Sequence, residues 1–415
     1  MNIIRQIRQK ISHCLQIQRL FHQWKELRKD ATLLLKQRRR LLLIACDPWS
    51  IFGSRGDDAM ISVAAQHFPA NEIYVITASD AAAKAVEKRG WTALNVWSGR
   101  EPLRNIIHAA EEIQPEQCVV LGADVMDGYY APEVSLILLA SADLLRERKI
   151  ATTLLGFSFN ATPSTSVLRG IRYVTDNFRF NLRDPISLER FERLTGRRAC
   201  LTADTAFLLQ PETGFPEYEE LLKWKQKSQK PILAFNYHPM LLRNLSEETI
   251  DEQINRLGGM LGKILDANTW NILLIAHDFR ERVGDNRCLG PLHEFLSLRF
   301  PERVFHMKAE LSAAELKGVV KEVDALITAR MHLGIAALSQ GIPTAGFAYQ
   351  GKFNGLLAHF RLPDSYLFEV PSENNIEVIR RRIEEFLGQI PELKTKIRRC
   401  LPEVLQLAER NFDFQ

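Results

Sequence analysis

Short runs of apolar and β-branched residues alternate along this chain with longer stretches of helical periodicity. In the first half the runs predict strands at 41–46, 72–77, 118–121, 150–155 and 172–175. Helical patterns separate them, for example at 58–67 and 133–148. Buried strands that alternate with helices are typical of βαβ units on a parallel sheet, so this half is predicted to be an α/β domain.

The same alternation occurs a second time. Apolar runs predict strands at 231–237, 270–276, 304–306, 324–328 and 344–349. The stretch 211–230 has two prolines, a glycine and many Glu and Lys residues, which favours a partly helical linker. The predicted organisation is an N-terminal α/β domain at 41–210, this linker, a C-terminal α/β domain at 231–370 and C-terminal helices at 371–415, interrupted at Pro391 and Pro402.

Residues 1–40 have a different pattern. Apolar residues recur there every three to four positions. The segment contains eleven Lys and Arg residues but only two acidic residues, so its net charge is +9, while the remainder of the chain carries −5. This predicts a basic amphipathic helical extension. Phe21 and Trp24 are available for a membrane interface, so contact with an anionic membrane surface and packing on the main body or on a second subunit fit this segment equally. Nucleic-acid binding is not expected.

Composition adds limits to this picture. A length of 415 residues with 46% hydrophobic and 25% charged residues is typical of a folded two-domain protein. No run of about 18 apolar residues and no signal-peptide pattern occurs, so a transmembrane helix and secretion are not predicted. The six cysteines form no CxxC pair, which argues against a zinc ribbon or a disulfide framework and favours a cytoplasmic location.

Ligands of open α/β sheets bind at the carboxyl ends of the strands, so the loops that follow strands are the places to look for chemistry. The first such loop, 52–58, contains Gly56, Asp57 and Asp58 directly before a helical pattern. Glycines permit close backbone approach, and a helix N-terminus attracts an anion or a sugar hydroxyl. The alternative is that Asp57 or Asp58 is only the N-cap of the helix.

Two further loops lie between 181 and 207. Asp184 and Pro185 fit the N-cap and the first position of a helix, but this leaves Arg183 unexplained at the end of a strand. Asp204 follows another short strand and is either a turn residue or a site residue.

The strongest signal follows the strand at 324–328, where Arg330, Met331 and His332 precede a helix of small residues. Arginine offers a planar fork for carboxylate or phosphate, and histidine exchanges a proton near neutral pH. Together they suit a small dianion that undergoes acid-catalysed chemistry. A histidine buried for structural reasons is the usual alternative, but an arginine two residues away argues against an apolar setting.

Other polar residues follow neighbouring strands. Tyr349 and Lys352 come after the strand at 344–349, and a lysine at a helix start is better explained by an anionic ligand than by helix stability. His277 and His238 follow two more strands on the same predicted edge, although a structural role also fits either one.

Taken in order, these motifs resemble the polysaccharide pyruvyl transferase family over about residues 41–365. The resemblance rests on a Gly-Asp loop, an Arg-Asp-x-x-Ser segment, an Asp-x-Ala-Phe segment, an Arg-x-His strand end with its Gly-Ile-Pro, and a Tyr-x-x-Lys segment, at 56–57, 183–187, 204–207, 330–332 and 349–352. The chain differs from the family pattern at Ser54, where Asn is usual, and at Gly122-Ala123-Asp124, where a glycine cluster is usual. Both differences lie in the half expected to bind the acceptor.

The resemblance implies a GT-B-type α/β fold, with two Rossmann-like domains facing across a cleft. It also implies transfer of a pyruvyl group from phosphoenolpyruvate to two hydroxyls of a sugar in a cell-surface or exopolysaccharide glycan, which forms a cyclic ketal and releases phosphate. No cofactor or metal is implied. The partners expected are phosphoenolpyruvate and a glycan or lipid-linked saccharide acceptor. Contact of residues 1–40 with the inner face of the cell membrane is a separate expectation from their charge, beside packing on protein.

Residue roles follow from the same resemblance. The catalytic pair would be His332, as acid or phosphate-binding group, and Asp57, as base. The donor-binding residues would be Arg330, Met331, Arg183 and Lys352. The acceptor-binding residues would be Gly56, Asp58, Asp204, His277 and Tyr349. Two alternatives stay open: a GT-B nucleotide-sugar glycosyltransferase, for which no acidic pair placed to hold ribose is evident, and a non-catalytic glycan- or anion-binding relative.

Overall fold

The computed structural model describes residues 2–31, 33, 37–70, 72–242, 247–267, 269–280, 284–347 and 352–413, without the side chains of residues 2–11, 242, 247–250 and 352. The chain forms two compact units. The first unit comprises residues 1–52, 60–205 and 406–415, and the second comprises residues 53–59 and 206–405.

The first unit is built on a parallel sheet. Its strands are β1 (Arg38–Ile44), β2 (Glu72–Ile76), β3 (Thr92–Leu94), β4 (Pro115–Val120) and β5 (Ala151–Leu154), with a separate pair β6 (Asn181–Leu182) and β7 (Cys200–Leu201). Its helices are α1 (Asn2–Lys29), α2 (Arg55–His67, of which 55–59 belong to the second unit), α3 (Asp80–Glu87), α4 (Pro102–Ile113), α5 (Pro132–Glu147), α6 (Thr165–Tyr173) and α7 (Pro185–Thr195). The sheet order is β3-β2-β1-β4-β5, and every pairing is parallel.

The apolar runs explain why β1 and β4 are central. Leu41–Ile44 and Cys118–Val120 have no exposed surface. Leu42 pairs with Tyr74 on one side and with Cys118 on the other. A strand buried on both faces needs a continuous apolar run, as this sequence provides.

Helix α1 packs on the first unit through its C-terminal half. The Trp24 indole is 1% exposed and donates a hydrogen bond of 2.9 Å to the buried carboxylate of Asp143 on α5. Arg28 forms an ion pair with the same carboxylate, and its guanidinium lies over the ring of Tyr173 on α6. Phe21 is also buried. The expectation that Phe21 and Trp24 are available for a membrane interface is therefore wrong, because α5 and α6 already cover them.

The second unit has a six-stranded parallel sheet. Its strands are β8 (Ile232–Phe235), β9 (Asn271–Ile275), β10 (Val304–Met307), β11 (Ala325–Thr328), β12 (Thr344–Phe347) and β13 (Leu367–Phe368), in the order β10-β9-β8-β11-β12-β13. Its helices are α8 (Pro216–Ser228), α9 (Glu247–Asp266), α10 (Asn286–Ser297), α11 (Ala313–Lys321), α12 (Met331–Leu338), α13 (Lys352–His359), α14 (Ile376–Gly388) and α15 (Ile390–Glu409), whose last residues belong to the first unit.

Two local predictions are wrong. The β-branched run at 172–175 is not a strand, because Arg172 and Tyr173 are the last residues of α6, whose buried residues Val167 and Ile171 recur at helical spacing. The predicted interruption at Pro402 is also absent, since α15 continues through this proline. Pro391 stands at the second position of α15, where a proline without an N–H group is tolerated. Within the described residues, no helix is both long and apolar enough to span a membrane.

Candidate active site

A buried carboxylate connects three adjacent strand ends in the second unit. Oδ2 of Asp285 accepts hydrogen bonds from the Asn236 side chain (2.8 Å), which follows β8, and from the backbone N–H groups of His277 (2.9 Å) and Asp278 (3.2 Å), which follow β9. Oδ1 accepts hydrogen bonds from Nε (3.0 Å) and Nη2 (2.6 Å) of Arg330, which follows β11. Asp285 thus fixes the direction of the arginine of the Arg-x-His motif.

The charges around Arg330 are balanced by neighbouring groups. Nη2 of Arg330 also lies 3.4 Å from Asp278, which is in turn bound by Arg280 at 2.6 Å. Burial raises the pKa of Asp285, although the ion pair with Arg330 acts in the opposite direction. Burial also acts to raise the pKa of Asp278, but hydrogen bonds and ion pairs with Arg280 and Arg330 outweigh it and lower the pKa. Two arginines and two aspartates therefore form one charge-balanced cluster.

The backbone at Arg330 is fixed as well. Arg330 is the N-cap of α12 with extended geometry, at φ −107° and ψ 113°. Its N–H donates to Oγ1 of Thr328 (2.9 Å), and that hydroxyl donates to Oδ1 of Asn236 (3.0 Å). The strand end therefore holds both the main chain and the side chain of Arg330.

His332 packs directly against the Gly-Asp loop. A Cβ atom built on Gly56 would lie 2.2 Å from Nδ1 of His332 and 2.5 Å from its Cε1, so only glycine permits this approach. Gly56 lies in the first turn of α2, in the segment 53–59 that belongs to the second unit. The structure thus brings together two motifs that are more than 270 residues apart in sequence.

Two other histidines near Arg330 are held in the neutral form. Burial, followed by the electrostatic effect of the neighbouring basic groups His332, Arg330 and Arg55, lowers the pKa of His277 well below its usual value. Burial and the charge of Arg330 lower the pKa of His238 to about 3. Nδ1 of His238 accepts the N–H of Met240 at 3.1 Å, which places a proton on the other ring nitrogen. Neither imidazole adds a positive charge near neutral pH.

A small cavity lies beside these groups. Its polar lining consists of Arg55, His277, Lys317 and His332, and its volume of about 10 Å³ is the space of one water-sized oxygen. Arg55 is held by the carbonyl of Leu311 (2.6 Å) and by Glu310 (2.7 Å). The lining is therefore basic on several sides.

The acidic residues of the Gly-Asp loop are inside the helix. Because α2 begins at Arg55, Asp57 and Asp58 occupy its first turn, and the alternative that either one is the N-cap is wrong. A carboxylate in the first turn is favoured by the helix dipole. Oδ2 of Asp58 accepts the N–H of Ala313 at 3.1 Å, at the start of α11.

Arg183 and Asp204 are brought together in the first unit. Nη1 of Arg183 lies 2.9 Å from Oδ2 of Asp204, both side chains are almost completely buried, and Nε of Arg183 donates to Ser158 at 2.7 Å. Asp184 is the N-cap of α7, with Pro185 at the first helical position, as the sequence predicts. Met331 begins α12. Of the remaining site residues, Tyr349 and the side chain of Lys352 lie outside the described residues.

Sequence reasoning missed Asp285, Arg55 and Lys317. Asp285 stands directly before α10, where an aspartate is normally interpreted as an N-cap, yet it makes no side-chain cap bond. Arg55 directly precedes Gly56 in the loop 52–58, so its position in the sequence could have identified it as a candidate site residue. Lys317 lies in the middle of a helix, and only its burial in the folded chain distinguishes it from an exposed lysine.

Comparisons with known proteins give the fold and the family. The chain resembles a protein from Listeria monocytogenes described as a UDP-N-acetylglucosamine 2-epimerase, with a TM-score of 0.56 and 11% identity over 91% of this chain and 95% of that chain. It also resembles the UDP-GlcNAc 2-epimerase of Neisseria meningitidis, with a TM-score of 0.52 and 9% identity over 89% of this chain and 98% of that chain. A third similar structure is a glycosyltransferase from Rickettsia africae, with a TM-score of 0.52 and 11% identity over 91% of this chain and 99% of that chain. At these identities the similarity shows the fold alone, and it confirms the predicted GT-B-type α/β class.

The sequence comparisons are more specific. No curated protein matches the chain. The family model described as polysaccharide pyruvyl transferase matches residues 55–351, which include the Gly-Asp loop, the Arg183 and Asp204 segments and the Arg-x-His strand end. The chain therefore belongs to the polysaccharide pyruvyl transferase family, a family of transferases.

Proposed function

We propose that this protein transfers the pyruvyl group of phosphoenolpyruvate to two hydroxyls of a glycan and releases phosphate. The observation that carries the proposal is that Arg330, oriented by Asp285, and His332, packed against Gly56, lie at one strand end. This arrangement places an oriented guanidinium beside an imidazole, which suits a small substrate with a carboxylate and a phosphate. Family membership supports the same reaction class.

The chemistry gives each group a task. Protonation of the enol methylene of phosphoenolpyruvate creates an oxocarbenium-like carbon. One sugar hydroxyl attacks this carbon and loses its proton. A second hydroxyl then displaces phosphate, which leaves with the bonding electron pair and takes up the proton of that second hydroxyl. The site needs an acid, cations that hold the carboxylate and phosphate, and a base for the sugar hydroxyl. In this proposal no metal or cofactor takes part.

The proposed roles follow the residues of the motifs. His332 is the acid or phosphate-binding group and Asp57 the base. Arg330, Met331, Arg183 and Lys352 bind the donor. Gly56, Asp58, Asp204, His277 and Tyr349 bind the acceptor.

Phosphate release tests this proposal. Wild-type protein with phosphoenolpyruvate and a panel of glycosides should release phosphate only when both are present, and mass spectrometry should detect the ketal. Arg330→Ala and His332→Ala should each lower turnover by on the order of a hundredfold or more, because each removes a group that stabilises the transition state.

Matched variants complete the experiment. Arg299→Ala and His22→Ala remove exposed side chains of the same types and should leave turnover unchanged. Thermal stabilisation by phosphoenolpyruvate is expected. Stabilisation by a UDP-sugar alone, with nucleotide release, would instead support a glycosyltransferase, and binding of a glycan without any turnover would support a non-catalytic relative.

We also propose a cytoplasmic location and a lipid-linked acceptor, reached through the exposed cations of α1. Arg19, Lys25 and Lys29 are exposed while Trp24 is buried, so attraction to an anionic surface would be electrostatic and salt-dependent. Flotation with anionic vesicles at low salt should be lost when these three residues are changed to Glu. Equal flotation of both proteins would contradict this contact.

A further inference from the structure

Lys317 is a buried lysine whose position the proposed roles do not explain. It lies on α11 and is 2% exposed. Its ammonium donates a hydrogen bond of 3.0 Å to the carbonyl of Phe207. Within the part of the chain that the structure describes, no carboxylate forms an ion pair with it. An ammonium group without an acidic partner is costly to bury, so a reason for its presence is needed.

Its surroundings point to a ligand. Lys317 lines the cavity that Arg55, His277 and His332 also line, and the other described lining residues are apolar: Ala59, Ala206, Leu209, Ala313, Leu316 and Ala336. No described lining residue is acidic. A basic cavity in a low-dielectric setting favours an anionic oxygen strongly.

We propose that Lys317 is a further anion-binding residue of this site, whose ammonium receives one terminal oxygen of a carboxylate or phosphoryl group. The cavity of about 10 Å³ has room for one such oxygen but not for a whole phosphate ion. The inference rests on the proposed function, in which the donor carries both of these oxyanions.

The protonation state of Lys317 gives the inference a measurable consequence. Burial lowers the pKa of Lys317 to about 7. An anion bound beside the amine favours its charged form and raises that pKa again. At about pH 8 a phosphate monoester is already fully ionised, so proton uptake on binding at this pH would come from the protein.

A purely structural role is the competing explanation. Helix α11 packs closely on the segment 206–212. The backbone N–H of Glu212 donates to the carbonyl of Ala314 at 2.9 Å, and a Cβ on Gly318 would lie 1.8 Å from the carbonyl oxygen of Glu212. Lys317 would then serve only to bind Phe207. A structural tie stabilises the fold, whereas a group kept for a ligand is often a cost to stability.

Titration calorimetry at about pH 8, in two buffers of different ionisation enthalpy, distinguishes these explanations. Phosphoenolpyruvate, inorganic phosphate and pyruvate are the three probes, which separate phosphoryl from carboxylate binding. Wild-type protein should take up roughly one proton with the probe that reaches Lys317. Lys317→Met should bind that probe at least about tenfold more weakly, take up no proton and melt at a higher temperature than wild type.

Two further variants make the test specific. Lys317→Gln keeps an N–H donor for Phe207 without the charge, and it should behave as Lys317→Met does in binding and proton uptake. Lys321→Met, an exposed lysine on the same helix, should match wild type. Unchanged affinity and proton uptake in both Lys317 variants would overturn the inference. A lower melting temperature in Lys317→Met, restored together with binding in Lys317→Gln, would assign a structural role.

The outcome for the proposed function is separate. If wild-type protein binds and turns over phosphoenolpyruvate while the Lys317 variants do the same, only this inference fails. If wild-type protein does not bind phosphoenolpyruvate but binds phosphate or pyruvate with Lys317-dependent proton uptake, the proposed donor fails and the anion site stands.

Discussion

At the scale of single residues, Asp285 is the group on which the geometry of Arg330 depends most. Among the described residues, one of its oxygens accepts N–H groups from the ends of β8 and β9, and the other accepts two N–H groups of Arg330. The Asn side chain has a single oxygen, so in Asp285→Asn its NH₂ group must face either the N–H donors at the ends of β8 and β9 or those of Arg330. Removing one partner of a buried ion pair costs about 3 to 5 kcal/mol, and we expect a stability loss of this size together with lost turnover.

Denaturant unfolding and phosphate release measure the two effects of Asp285→Asn. Asp266→Asn is the matched control, because Asp266 pairs with Arg299 at an exposed position and should cost less than about 1 kcal/mol. Turnover at the wild-type rate in Asp285→Asn would show that the direction of Arg330 does not matter for the reaction.

Gly56→Ala isolates the position of His332. The added Cβ requires the imidazole to move by more than about 1 Å to reach an ordinary contact distance, and such a displacement of a reacting group costs on the order of a hundredfold in rate. Because Gly56 lies in a helix, alanine should at the same time favour the helix, so the fold should survive.

The control for Gly56→Ala is another helical glycine. A Cβ on Gly259 in α9 meets no atom within 4 Å, so Gly259→Ala should add up to about 1 kcal/mol of stability and leave turnover unchanged. If Gly56→Ala also kept wild-type turnover, the contact with His332 would have no role in the reaction.

At the scale of elements, α1 is held to the first unit by its C-terminal half. Trp24→Ala removes a fully buried ring and a donor to Asp143, and we expect a loss of about 3 to 5 kcal/mol of stability. Leu15→Ala on the same helix removes a side chain that is 54% exposed and should change stability by no more than about 0.5 kcal/mol. Equal effects of the two variants in thermal unfolding would contradict the packing of α1.

The elements also show which features a sequence can predict. The strands β1, β8, β9 and β11 were predictable because a strand buried on both faces requires a continuous apolar run. The burial of Trp24 was not predictable, because an amphipathic pattern shows which face of a helix is apolar but not which element covers that face. Asp285 was missed for a similar reason: it lies ten residues after the end of β9 in sequence, and its hydrogen bonds to the strand ends are visible only in the structure.

At the scale of the whole molecule, histidines with a lowered pKa are expected to make the two units differ in their response to acid. Four described histidines have a lowered pKa and belong to the second unit: His238, His277, His293 and His306. A histidine whose pKa is lower in the folded state binds protons more readily when unfolded, so its stabilising effect is complete above about pH 6.5 and is lost as the pH falls toward the folded pKa.

The size of this effect can be given for His238, whose pKa falls to about 3. Between pH 7 and pH 5 this histidine alone should remove about 2 kcal/mol from the stability of the second unit. Hydrogen exchange with mass spectrometry at the two pH values should therefore show the second unit losing protection before the first.

His238→Asn keeps an acceptor for the Met240 N–H without a titrating group, and it should reduce this difference. His22→Asn, at an exposed position, should not. Equal loss of protection in both units, or an unchanged pH dependence in His238→Asn, would show that the neutral histidines do not control the acid stability of this protein.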